Sequence, residues 1–227
     1  MSKRKGHQNF VTVIGDIEAG KLIEVIDSQT QVEIIETLTQ QPLEVREQIE
    51  EVSVDMWGGF PKIVEKVFPN AVIVIDRFHV MKAVNEELNK IRKQARVFDR
   101  GSKFILLKNG GELTLEETTK LEQILQHSQR LRKAYEWKEE FRAIYEKHLT
   151  VEEGQRQIEQ WLHQARDVYC EAITTIRHHL NGICNYFRNR TTNGVMEGIN
   201  NRIKLIKRQA YGFTNFTNFR ERLLACF

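Results

Sequence analysis

Two aspartates stand where apolar runs meet turns. Asp55 closes the run at residues 52–54, and Asp76 closes the β-branched run at 71–75. Between them, Phe60, Ile63, Val64, Val67 and Phe68 recur at helical spacing, and Pro69-Asn70 ends that pattern. The order is therefore strand, helix, strand. A crossover of this length joins parallel strands, which predicts that both carboxylates emerge at one sheet edge. Open α/β sheets bind ligands at that edge. Asp also caps helices, so either residue alone reads equally well as a cap; the pair favours a site. A third acid, Glu197, lies in a helical pattern starting at Asn193. Glu197, Asn201, Lys204 and Arg208 recur at i+4, i+7 and i+11 and form one polar ridge. A carboxylate followed by an amide and two cations suits a metal ion beside a phosphate backbone. It equally describes a solvated face with i,i+4 charge pairs, which this segment alone favours.

These residues need elements to position them. Residues 10–14 and 21–26 predict an antiparallel hairpin around the Asp16–Gly20 turn. Residues 31–39 predict a helix with Val32, Ile35 and Leu38 on one face, and 45–51 a short linking helix. After Asp76 a long helix to about Val97 carries Val80, Val84, Leu88 and Ile91 as its apolar stripe. From about Arg100 the character changes: a turn at Gly110-Gly111 leads into a stretch that reads as almost wholly helical, at 115–126, 128–149, 151–166 and 168–181. The first of these starts at a capping box, Thr114 with Glu117. Trp137, Phe141, Trp161, Leu162 and Tyr169 are expected as buried anchors. The adjacent His178 and His179 lack the i,i+4 spacing of a metal pair. Residues 185–192 read as a polar, basic connector. Val195, Ile199, Ile203 and Ile206 form the expected apolar face of the last acidic helix, and Phe216, Phe219 and Leu223 a small amphipathic end.

Composition narrows the class. The 227 residues carry 41% hydrophobic and 29% charged residues, ordinary for a helix-rich domain with a packed interior. Net charge is only +3, but cations cluster at residues 2–7, including Arg4 and Lys5, and at Arg202, Lys204, Lys207 and Arg208. Such patches suit nucleic acid. Three widely spaced cysteines form no CxxC pair, which supports neither a disulfide framework nor a zinc knuckle. No apolar run approaches the ~20 residues of a membrane helix, and residues 1–8 lack the apolar core of a signal peptide.

The blocks VSVDMW, FPNAVIVIDRFHVMK and TNGVMEGINNRIKLIKRQAYGF together resemble the ISL-three-type insertion-sequence transposases, bacterial DDE enzymes, over essentially the whole chain. The resemblance implies an α/β fold with an RNase H-like core interrupted by an all-helical insertion: core at 1–99 and 187–227, insertion at 100–186. It implies DNA transposition by three carboxylates holding two Mg²⁺ ions about 4 Å apart, with Asp55 as the second acid and Glu197 as the third. Asp76 and His79 match the block on the next strand and helix, with a supporting or DNA-positioning role. Arg4, Lys5, Asn201, Arg202, Lys204, Lys207 and Arg208 are the expected DNA contacts. Transposon ends and target DNA are the implied partners, a homo-oligomer on DNA the implied assembly, and the nucleoid in the bacterial cytoplasm the implied location. In the family the first catalytic Asp lies in an acidic pair shortly before the Arg4-Lys5-Gly6-His7 block. Met1 stands just past that place, and Asp16 falls in the hairpin turn and is no substitute. The resemblance therefore implies a core cut at its first strand, without the N-terminal zinc-binding and helix-turn-helix regions and inactive alone. The alternative is a non-catalytic DNA-binding or regulatory fragment of a transposase; a structure-specific nuclease on the same core is a third reading.

Overall fold

The computed structural model describes residues 11–210, 212, 213 and 215–227. Arg4, Lys5 and Tyr211 lie outside the described residues. The elements run β1 Thr12–Asp16, β2 Lys21–Ile26, α1 Gln31–Leu38, α2 Leu43–Arg46, β3 Glu51–Val54, α3 Phe60–Val67, β4 Val72–Ile75 and α4 Arg77–Gln94. They continue through α5 Ser102–Leu107, α6 Leu115–Gln126, α7 Gln129–Glu146, α8 Val151–Gln164, α9 Glu171–His178, α10 Leu180–Cys184, α11 Tyr186–Asn189, α12 Gly194–Gln209 and α13 Phe216–Cys226. Among the described residues the fold is α/β and mostly helical, with two two-stranded sheets, β1–β2 and β3–β4. The chain divides into two compact units, Met1–Ile73 with Thr192–Phe227, and Val74–Thr191.

In the first unit the antiparallel hairpin β1–β2 is the centre. Val13 pairs with Val25 and Ile14 with Glu24, but Gly15 pairs with Leu22, so Ile23 is an extra residue on β2. A one-residue bulge reverses the alternation of a strand. It brings Leu22 and Val25 into one core and leaves Ile23 54% exposed. That core holds Val11, Leu22 and Val25 with Ile199, Ile203 and Ile206 of α12 and Phe219 and Leu223 of α13. A second cluster joins Ile26 to Ile34 of α1 and Ile63 and Val67 of α3, with Ile14 packed against it. The hairpin is thus covered by helices on both faces. Two expected faces need correction. Val32 is 63% exposed and Ile34 takes its place in the core. On α12, Val195 is exposed, and Met196 packs beside Ile199 instead.

The second unit is helical from Arg77 onward. The α4 stripe is buried as its spacing requires, with Val80, Val84 and Leu88 fully covered and Ile91 nearly so. Two buried charges tie helices together. Glu87 on α4 accepts hydrogen bonds from the backbone N–H groups of Cys170, Glu171 and Ala172 at 2.7, 3.2 and 2.7 Å, so a carboxylate meets the positive end of α9. Lys138 on α7 donates to the carbonyls of Leu106 and Lys108 at the end of α5, at 3.0 and 2.9 Å. Thr114 and Glu117 form the expected capping box, and Thr150 and Glu153 form a second one at the start of α8. The reading of 185–192 as a connector is corrected: Tyr186 and Phe187 of α11 are buried. A Cβ on Gly154 of α8 would come within 2.2 Å of the Phe187 ring, so only glycine lets that ring seat. The polar flanks of the aromatic pair hide this anchor from a composition-based reading. Among the described residues, no helix is long and apolar enough to cross a membrane.

Candidate active site

Glu197 sits in the first turn of α12, exposed, with its N–H bonded to the carbonyl of Asn193 at 2.9 Å. The neighbouring residues set its position. A Cβ on Gly15 would lie 2.6 Å from Met196 Sδ and 3.1 Å from Ile199 Cδ1, so the hairpin meets α12 where it has no side chain. The helix is pinned on its Met196–Ile199 side, and Glu197 is left on the opposite, solvent-facing side. Asn201, Lys204 and Arg208 share that exposure. Lys204 donates to Asn201 Oδ1 at 3.3 Å. The other two expected cations differ. Arg202 lies ~140° around the helix from Glu197 at ~100° per residue. Its guanidinium bonds the Cys226 carbonyl and lies 4.5 Å from the Phe227 ring centroid, so it ties α12 to the end of the chain. Lys207 is half-buried, and burial pushes its ammonium below the usual lysine value.

Asp55 follows β3 in the same unit. Its Oδ1 accepts the backbone N–H of Trp57 at 2.8 Å, which fixes one carboxylate oxygen in a turn. The Trp57 ring packs edge-on to Phe60 at 4.9 Å and leaves no room for a Cβ on Gly59, the nearest ring atom being 2.3 Å away. The loop behind Asp55 is therefore held by an aromatic lid on a glycine. Asp76 begins the second unit's helices. It is 4% exposed and caps α4, its Oδ1 accepting the Phe78 N–H at 3.3 Å. The capping role weighed for Asp76 is thus present. His79, one residue beyond, packs edge-on to Phe78 at 5.5 Å.

One polar group was not singled out by its sequence. Asn193 Oδ1 is buried without a hydrogen-bond partner, one helical turn before Glu197. Asn at a helix start ordinarily caps, so sequence alone gives no sign that this side chain is left over; here it makes no cap bond.

The donor set bears on metal binding. Hard carboxylate oxygens suit a divalent cation of the Mg²⁺ kind. Among the described residues, however, no group of three or more His, Cys, Asp or Glu is placed to hold a metal ion. These residues alone do not fit a complete two-ion centre.

Comparison with known proteins follows the same blocks. A family model described as transposase, of the DDE type named for ISL3, matches residues 1–223. The transposase for insertion sequence element IS1001 of Bordetella parapertussis is 26% identical over 240 residues, covering 98% of this chain and 58% of that protein. The transposase for insertion sequence element IS1557 of Mycobacterium tuberculosis is 25% identical over 244 residues, covering 92% and 54%. The chain thus spans a little over half the length of these relatives. A 56-residue stretch is also 39% identical to part of an ATP-dependent protease of Lactococcus lactis, but it covers only 25% of this chain and 18% of that one. No solved structure matches. With a single family match running from the hairpin through Asp55, Asp76 and Glu197 to the last helix, the chain belongs to the ISL-three-type DDE transposases.

Proposed function

We propose that this chain supplies the second and third acids, Asp55 and Glu197, of an RNase H-like catalytic core that cleaves and joins DNA at the ends of an insertion sequence. In this reading residues 1–99 and 187–227 are core and 100–186 a helical insertion. The observation that carries it is the build of α12: Met196 and Ile199 are locked onto Gly15 while Glu197, Asn201, Lys204 and Arg208 are all turned to solvent. A ridge held in place on its back and bare on its front is suited to DNA, with Lys204 and Arg208 against phosphates. Bound Mg²⁺ would supply charge stabilisation at the reacting phosphate. Asp55 and Glu197 are the carboxylates that would face it, and Asp76 and His79 are proposed for a supporting or DNA-positioning role. Transposon ends and target DNA are the proposed partners, a homo-oligomer on DNA the proposed assembly, and the bacterial cytoplasm the proposed setting.

One observation favours a second reading, a DNA-binding or regulatory chain without catalysis: the described residues complete no three-ligand group. A single experiment separates the readings. The purified 227-residue chain is incubated with duplex DNA carrying terminal inverted repeats, with and without Mg²⁺. Salt-dependent binding is expected under both readings, and Mg²⁺-dependent cleavage lost in Glu197→Gln under the first alone. Cleavage that needs Mg²⁺ and is lost in Glu197→Gln would show a complete catalytic centre and remove the second reading. Absence of any salt-dependent binding would refute both.

A further inference from the structure

Trp57 stands two residues after Asp55, and its backbone N–H donates to Asp55 Oδ1 at 2.8 Å. Of the three tryptophans it alone is exposed, at 42%; Trp161 is buried and Trp137 half-buried. An indole is large and mostly apolar, so leaving one in water forgoes the burial it would otherwise gain. The ring is nevertheless held. A Cβ on Gly59 would meet Trp57 Cη2, Cζ3 and Cζ2 at 2.3, 2.5 and 2.6 Å, so the ring rests directly on that glycine. Phe60 meets it edge-on at 4.9 Å. A Cβ on Gly58 would meet nothing within 4 Å, so the loop leaves open space at the residue next to the indole. The result is a flat apolar surface, fixed in place beside a carboxylate.

We propose that Trp57 stacks on the last base pair of a cut transposon end, beside the phosphate that Asp55 faces. This rests on the reading of Asp55 as a catalytic acid and deepens it by naming a substrate contact. Position argues for a nucleotide. The Cα atoms of Asp55 and Trp57 can be no more than about 7 Å apart, two steps of roughly 3.4 Å along a DNA strand. The nucleotide held at Asp55, or its neighbour, therefore lies beside the indole. Stacking needs an open base face. Inside a duplex each face is covered by the next pair, whereas cleavage at the end of the element leaves the last pair uncovered on its outer side. Rigidity argues that the ring is a platform: Gly59 and Phe60 already restrict it, so little side-chain freedom is lost on binding. Every base has a π-face, so such a contact needs no particular terminal sequence.

The test uses the 227-residue chain and a pre-cut inverted-repeat duplex carrying 5-iodouracil, a photocrosslinking base, either at the terminal pair or well inside the duplex. Binding is followed by fluorescence anisotropy, and the adducts formed on irradiation are mapped by mass spectrometry. An adduct on Trp57 from the terminal position, and none from the internal one, is expected. Trp57→Leu should weaken binding of the cut end by about five- to a hundredfold, the range that base–aromatic stacking spans. Trp57→Phe keeps a flat ring and should recover most of that loss. DNA that binds yet gives no adduct on Trp57, or gives it equally from both positions, overturns the inference and leaves DNA binding intact. Equal affinities of the leucine and phenylalanine variants also overturn it, since a merely structural side chain would not distinguish a ring from an aliphatic group in this readout. The crosslinking arm needs only the unmodified chain, so it decides the matter even where a variant fails to fold. Failure to bind the duplex at all overturns this inference together with the DNA reading beneath it.

Discussion

Three basic side chains on one helix have three different tasks. Lys204 stands on the exposed ridge with Glu197, Arg202 holds the end of the chain, and Lys207 is half-buried. Charge counting treats them alike; only the helical angle and the partner separate them. The expected outcome is a split. Lys204→Ala or Arg208→Ala should lower the salt dependence of duplex binding by about one phosphate contact each. Arg202→Ala should leave that slope unchanged and lower the melting temperature instead. Binding titrated at several salt concentrations, with a melt of each variant, checks both halves. A salt slope that falls in Arg202→Ala would restore it to the DNA surface. Asp76 makes the same point at lower resolution. Its place at a strand end invites a catalytic role, yet its observed bond is a helix cap.

At the scale of elements, the contact of α12 with the β1–β2 hairpin decides where the third acid stands. Gly15 is required there for lack of space, its backbone conformation being ordinary. Gly15→Val should push α12 away and cost about 1–3 kcal/mol, the usual penalty of overpacking, measured by urea unfolding. A stability equal to wild type would mean that Met196 simply swings aside. The hairpin is also held to α13 by Arg220, which donates to both oxygens of Glu24 at 2.6 and 2.5 Å. Burial raises the pKa of Glu24, but the bonds from Arg220 and from the Val25 N–H outweigh it and leave the group below its ordinary value of 4.5. A carboxylate lowered in the folded state stabilises above its unfolded value, and that contribution is lost as pH falls through the folded value. Arg220→Ala should therefore be less stable than wild type by about 1 kcal/mol or less at neutral pH, as for half-exposed pairs. The gap should close progressively below pH 4.5; a gap constant with pH would contradict the pairing.

The elements themselves are largely legible in the sequence, because periodicity reports burial directly. The expected hairpin arm at 21–26 is β2, and the expected helix at 115–126 is α6, cap included. Where periodicity is ambiguous by one residue, the reading slips. Val195 and Met196 are both apolar neighbours, and only the approach to Gly15 selects Met196. Ile34 displaces Val32 in the same way, through packing on Ile26 and Ile63. Residues 102–107 form α5, which their short apolar run cannot distinguish from a strand. The β2 bulge is invisible in sequence because nothing in KLIEVI marks Ile23 as the extra residue.

For the whole molecule, the relevant fact is separation along the chain. Asp55 and Glu197 are far apart in sequence, yet both belong to the first compact unit, whose two segments flank the helical one. Their types and motif blocks are readable from sequence; the closing of one segment onto the other is not, since it rests on the nonlocal core of Val11, Leu22 and Val25 with Ile199 and Ile203. The unpaired oxygens of Asn85 and Asn193 are unreadable for the same reason, as an amide is known to lack a donor only once everything around it is placed. Asp55 and Glu197 are proposed to face one shared site. Asp55→Cys combined with Glu197→Cys, treated with a short thiol–thiol crosslinker and mapped by mass spectrometry, measures it most directly. A crosslink joining positions 55 and 197 within one chain is the expected product. Both cysteines reacting fully yet never becoming joined would contradict the claim.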